Sequence, residues 1–208
     1  MNANANVLKR FIIYMAILTF VMFTVWAFVK SFKNRPPGDY ETEVCDNRLK
    51  DKLYEKALTA ANLAIIKTPN HRGAIMCKAL VYISQKENTL ATNELNYLIS
   101  FLEKNNSTDD KTGIGTLAAA YANRGIIKDR TKDYEGALKD YIKALGIDDV
   151  AVAGPGLGTI ILNYKFKSSS VRDRAIYLNE QLQLPENERI LSIQELDEGQ
   201  VMHKPGNL

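Results

Sequence analysis

The stretch Asp133-Tyr134-Glu135-Gly136-Ala137-Leu138-Lys139-Asp140-Tyr141-Ile142-Lys143-Ala144-Leu145 decides how the rest of the chain is read. It has helical periodicity and opens with an Asp-Tyr-x-x-Ala-Leu pattern. Leu53-Tyr54-Glu55-Lys56-Ala57-Leu58 carries the same core, and Thr89-Leu90-Ala91 is a weaker copy. Ala57 and Ala91 are 34 residues apart; Ala91 and Ala137 are 46 apart, which is 34 with an insertion of 12. The insertion falls naturally at 103–114, where Asn-Asn-Ser-Thr-Asp-Asp and Gly113 signal a loop. A fixed period of this size means one supersecondary unit per copy, stacked so that neighbours bury each other's apolar faces.

These residues resemble the tetratricopeptide repeat (TPR), a 34-residue helix–turn–helix with small residues at positions 8, 20 and 27. The third copy supplies Gly125, Ala137 and Ala144, with Tyr121 at position 4 and Tyr141 at position 24. The first supplies Cys45, Ala57 and Ala64, with Pro69 at position 32; the second supplies Ala79 and Ala91 but has Leu98 at position 27, and the third ends in Asp149 where proline is usual. Small residues at these places let two helices approach closely, and the aromatic at position 24 fills the gap beside them. The resemblance covers about half the chain and points to bacterial single-pass membrane-anchored TPR proteins. It implies an all-α fold: a transmembrane helix, about three helical hairpins in a short solenoid, a capping helix and an irregular tail.

The implied organisation is a tail at 1–10, an anchor at 11–32, a linker at 33–38, repeats over 39–151, capping helices over 152–184 and a C-terminal tail over 185–208. The anchor stands on the segment FIIYMAILTFVMFTVWAFVKSF, whose residues 11–29 carry no charge. Nineteen helical residues span roughly 28 Å, near the thickness of a bilayer's hydrocarbon core. A cleaved signal peptide is the competing reading, but the run is long and Lys30-Ser31-Phe32-Lys33 is a poor cleavage environment. Lys9 and Arg10 flank one side of the span, and Lys30, Lys33 and Arg35 the other, so charge barely sets the orientation. A short tail ahead of a signal-anchor commonly stays in the cytoplasm, which favours a bacterial inner-membrane protein with a periplasmic domain. Within the linker, Asn34-Arg35-Pro36-Pro37-Gly38 breaks helix. Further on, Gly154-Pro155-Gly156 interrupts the helices, 157–166 reads as a short helix, and Ser170-Val171-Arg172-Asp173 reads as a capping box opening a helix to about residue 184.

Those flanking charges are the five basic and zero acidic residues of 1–35; removing the five from 27 leaves 22 basic against 24 acidic residues beyond. No basic field remains for nucleic acid. Cys45 and Cys77 have neither redox nor zinc spacing. They map to the first helices of adjacent repeats, at positions 8 and 6. Such helices pack side by side, so a disulfide is conceivable in an oxidising compartment; the plainer reading is that Cys45 fills a small packing slot. His71 at an inter-repeat turn reads as structural or solvated, and His203 sits in the tail with no evident partner. Carboxylates such as Glu55 and Asp140 read as exposed helix charges. Gly154-Pro155-Gly156-Leu157-Gly158 lacks the Lys-Ser/Thr ending of a phosphate loop. No catalytic residue, metal site or cofactor is expected, and an enzyme with a cryptic site is the remote alternative.

The TPR resemblance further implies a concave groove lined by positions 2, 5, 9, 12 and 13 of each first helix. Those positions give Asp46, Leu49 and Lys50; Met76, Leu80 and Ile83; and Ala122, Ile126, Asp129 and Arg130. The groove would be apolar at its centre and charged at its ends, suiting an amphipathic helix or extended segment of a partner, unless the chain's own C-terminal helix or tail covers it. The basic clamp with which related modules hold chaperone carboxylates is absent, since its places hold Thr42, Asp46, Cys77, Ala119 and Asn123. The expected function is a membrane-anchored scaffold, assembly factor or accessory subunit of a membrane protein complex, touching the bilayer through 11–32. A structural subunit docking through its transmembrane helix is the alternative.

Overall fold

The computed structural model describes residues 5–33, 35–150, 152, 170–193, 200 and 202–203. The helix expected over 157–166, the Gly154-Pro155-Gly156 break and most of the expected tail lie outside these residues. The chain divides into Met1–Pro37 and Gly38–Leu208.

The first unit is helix α1, Ala5–Lys33. Its stretch Asn6–Lys30 has mean hydropathy 2.3 and is long and apolar enough to cross a membrane. Its large apolar side chains, from Val7 through Phe20 to Val29, are exposed. The Thr19 hydroxyl donates to Met15 O at 2.8 Å and the Thr24 hydroxyl to Val21 O at 2.8 Å, so neither needs a partner beyond the helix.

The second unit opens at Gly38, whose φ of 98° precedes α2 (Asp39–Lys50). There follow α3 (Tyr54–Lys67), α4 (Arg72–Ser84), α5 (Asn88–Asn105), α6 (Lys111–Arg130), α7 (Tyr134–Ile147) and α8 (Val171–Leu182), then a short 3-10 turn at Glu186–Glu188. The described residues contain no strand. Consecutive helices from α2 to α7 pack on one another, α4 also touches both α2 and α6, and α8 packs on α7. The turns α2–α3, α4–α5 and α6–α7 share one construction. Lys52, Lys86 and Lys132 take φ of 59°, 63° and 68°. In each turn the next residue's N–H returns to the carbonyl five positions back: Leu53 to Arg48, Glu87 to Tyr82, and Asp133 to Lys128. The lysine N–H itself returns three positions back, to Leu49, Ile83 and Asp129. This is a Schellman stop with lysine where glycine is usual. Other ends are capped by side chains: His71 accepts from Ala74 N–H, Asp110 from Gly113 N–H and Asp133 from Gly136 N–H. Ser170 and Asp173 form a reciprocal capping box.

Every small position named above is buried: Cys45, Ala57, Ala64, Ala79, Ala91, Gly125, Ala137 and Ala144, together with Leu98 and both tyrosines. Two sequence expectations differ in the structure. Where a loop was expected over 103–114, α5 continues to Asn105 and α6 begins at Lys111, so most of the extra residues lengthen helices. The apolar face of α5 runs on through Leu98, Ile99 and Leu102, and Tyr121 Oη donates to Glu103 at 2.5 Å. Asp140, expected in solvent, is buried. Both its oxygens accept from the Arg124 fork at 2.7 and 2.8 Å, and Lys128 Nζ lies 2.9 Å away. A buried carboxylate needs such partners to offset its lost hydration.

Candidate functional site

The face expected to form a groove is made by α2, α4 and α6. Of the residues assigned to it, Met76, Leu80, Ile83, Ala122, Ile126 and Asp129 are buried, Asp46 and Leu49 are half-buried, and only Lys50 and Arg130 are exposed. The reason is on the α4–α6 side. The chain's own Gln200, Met202 and His203 lie there, and Gln200 and His203 are 9% and 7% exposed.

Asn123 holds this segment by its main chain. Its Nδ2 donates to His203 O at 2.6 Å, and its Oδ1 accepts from His203 N–H at 2.8 Å. One primary amide thus pairs with both main-chain groups of one residue, as a neighbouring strand would. The other Asn123 amide hydrogen faces Met76 Sδ, at 3.5 Å. Ser84 Oγ lies 4.0 Å from Met202 Sδ, a weak contact.

Asp129, near the end of α6, gathers the remaining polar groups. Arg174 from α8 donates to its two oxygens at 2.7 Å each, and these side chains are 1% and 3% exposed. Tyr141 Oη donates at 3.1 Å and Gln200 Nε2 at 2.7 Å to the same carboxylate. Arg174 also donates to Leu191 O at 2.9 Å, which draws in the chain beyond α8. Burial pushes the Tyr141 phenol well above its ordinary value, and the Asp129 charge adds to this. Ile126, Tyr141, Ser170, Val171, Arg174, Gln200 and His203 line a small pocket. Burial lowers His203 from 6.5 to about 4, because an imidazolium there would forgo hydration.

At the α2–α4 side, Cys45 and Cys77 form a disulfide between Cα atoms 6.5 Å apart. His71, at the head of α4, sits within 2.8 Å of Asp39 and 3.3 Å of Thr42, both on α2. Its Nδ1 accepts the Ala74 N–H, so Nε2 carries the hydrogen given to Asp39. Among the described residues, no group of His, Cys, Asp and Glu is placed to hold a metal ion.

No family model and no curated protein matches the chain. Sequence reasoning placed Asp129, Ile126 and Met76 on this face and weighed cover by the C-terminal helix or tail as an alternative, but it missed Asn123 as the main-chain grip, Arg174 as the partner of Asp129, and which tail residues, Gln200 and His203, do the covering. A signal for Asn123 was present: it follows Leu117-Ala118-Ala119-Ala120-Tyr121-Ala122, where a polar side chain needs a bonding partner once buried. Nothing local marked the tail residues.

Proposed function

We propose that this chain is a membrane-anchored protein-interaction module of the TPR type, serving as scaffold, assembly factor or accessory subunit of a membrane protein complex. The observation that carries this is the recurrence of one turn. Lys52 and Lys86 are 34 residues apart, Lys132 is a further 46, and each stops the first helix of a pair the same way. A module built from such pairs, with its small residues buried, sets the first helices of the pairs side by side along one face, which suits binding. The exposed apolar length of α1 supports a membrane anchor. The Cys45–Cys77 disulfide supports an oxidising compartment for the domain, hence the periplasmic side of a bacterial inner membrane.

Purification of the full chain in mild detergent, followed by mass spectrometry, should recover integral membrane proteins in fixed ratio. Isolation as a lone monomer would overturn the scaffold reading. Replacing α1 by an unrelated apolar helix then separates the two docking modes. Recovery that survives assigns recognition to the repeats, and recovery that vanishes assigns it to α1.

A further inference from the structure

We propose that the cleft between α4, α6 and α8 is a binding site for an extended polypeptide, that the chain's own Gln200, Met202 and His203 are its resident ligand, and that a partner binds by displacing them. The proposal rests on the module reading above and specifies its ligand and its gate.

The grip itself reads no side chain. Asn123 pairs with the N–H and C=O of residue 203, groups that nearly every residue carries. An amide buried among apolar helices and aimed at the N–H and C=O of one residue is therefore suited to any extended segment, the chain's own included. The second point of recognition is chemical. Asp129, already holding Arg174 and Tyr141, accepts from a primary amide three residues ahead of the gripped unit. A partner segment should carry Asn or Gln there and no charged side chain beside it, since the buried Ile126 and Tyr141 line the pocket that Gln200 and His203 share.

The resident segment is an imperfect ligand. Among the described residues, no donor reaches Gln200 Oε1, although it is buried. Leaving a buried acceptor unpaired weakens binding by about tenfold or more relative to a ligand that satisfies it. The described contacts of the segment are otherwise the Asn123 pair, the Asp129 bond, a long Tyr141 contact at 3.4 Å and a sulfur contact. The tail's advantage is its covalent tether, which raises its effective concentration. A partner concentrated beside it in the membrane can match that.

The test uses the full chain in detergent and a fluorescein-labelled synthetic peptide of residues 198–208, followed by anisotropy. Wild type should bind the peptide poorly, because its own tail fills the cleft. Gln200→Ala with His203→Pro in the chain removes the Asp129 bond and the N–H that Asn123 accepts from, so the variant should bind the peptide at least about tenfold more tightly, and adding Asn123→Ala should remove that gain. A double variant that binds no better than wild type, or a gain that survives Asn123→Ala, overturns the proposal. So does peptide binding confined to tail-exchanged dimers of doubled mass, which would make a second copy the occupant. Should the variants lose helix by circular dichroism, hydrogen exchange on wild type decides. The His203 amide must exchange more slowly than the same amide in the free 198–208 peptide, and an equally fast His203 amide overturns the proposal. These outcomes are independent of the purification experiment: a partner recovered equally well by Asn123→Ala means the module binds by another face.

Discussion

Gly125 and Tyr141 meet where α6 packs on α7. A Cβ at Gly125 would lie 2.6 Å from Tyr141 Cε1 and 3.3 Å from Ala137 O. The ring is buried and its hydroxyl is tied to Asp129, so it can give way only by disturbing that bond. Gly146 of α7 is the natural control, since a Cβ there meets nothing within 4 Å. Gly125→Ala should lower stability by about 1–2 kcal/mol, overpacking outweighing the better helix propensity of alanine. Gly146→Ala should raise it by up to about 1 kcal/mol. Urea denaturation of the pair checks both signs. Residues of this kind were legible in the sequence because the constraint on them is local and repeats: a small side chain wherever two helices touch. Asp140 was not legible. Its burial depends on Arg124 and Lys128, which reach it from the neighbouring helix, and no spacing within α7 announces them.

At the scale of elements, the three lysine turns deserve the next experiment. A side chain in the left-handed region costs roughly 1–2 kcal/mol that glycine avoids, though glycine gives back part through a freer unfolded chain. Lys86→Gly should therefore raise stability by about 0.5–1 kcal/mol, with Lys52→Gly and Lys132→Gly similar, while a β-branched Lys86→Val lowers it. Thermal denaturation of the four variants would decide; a loss on Lys86→Gly would contradict the argument. These turns also explain which helices the sequence revealed. Helices α2 to α7 follow from apolar periodicity broken at regular intervals. The extent of α5 and α6 was misjudged because Asn-Asn-Ser-Thr-Asp-Asp looks like a long loop. Asp110 in fact ends that loop early by capping α6.

For the whole molecule, the buried C-terminal segment makes stability depend on acidity. His203 titrates near 4 when buried and near 6.5 when free. Between those values the unfolded chain takes up a proton that the native one refuses. Stability is therefore full above pH 6.5 and falls as pH drops toward 4. The limit is about 3 kcal/mol, reached only if the segment cannot leave by itself. Glu41 is held below its usual value by the Lys67 hydrogen bond, and Asp110 by the Gly113 N–H and Arg72. Their contributions are lost only in stronger acid. Denaturation midpoints measured from pH 7 to 4.5 should fall for wild type and stay flatter for His203→Ala. The seating of this segment was weighed in the sequence only as one alternative. Gln200 reaches Asp129 across 71 positions of chain and His203 reaches Asn123 across 80, and no periodic pattern encodes pairings so remote.

The Cys45–Cys77 link has a mechanical consequence. A stack of helical pairs normally frays from either end, each pair being held only by its neighbours. Here α2 is tied covalently to α4, so the end nearest α1 in the chain cannot peel away one pair at a time. Loosening must start at the opposite end, where α8 and the tail-filled cleft are held by noncovalent bonds alone. Under the anchoring and cleft binding proposed above, a pull between anchor and cleft would release the partner segment before it unravelled the first two pairs.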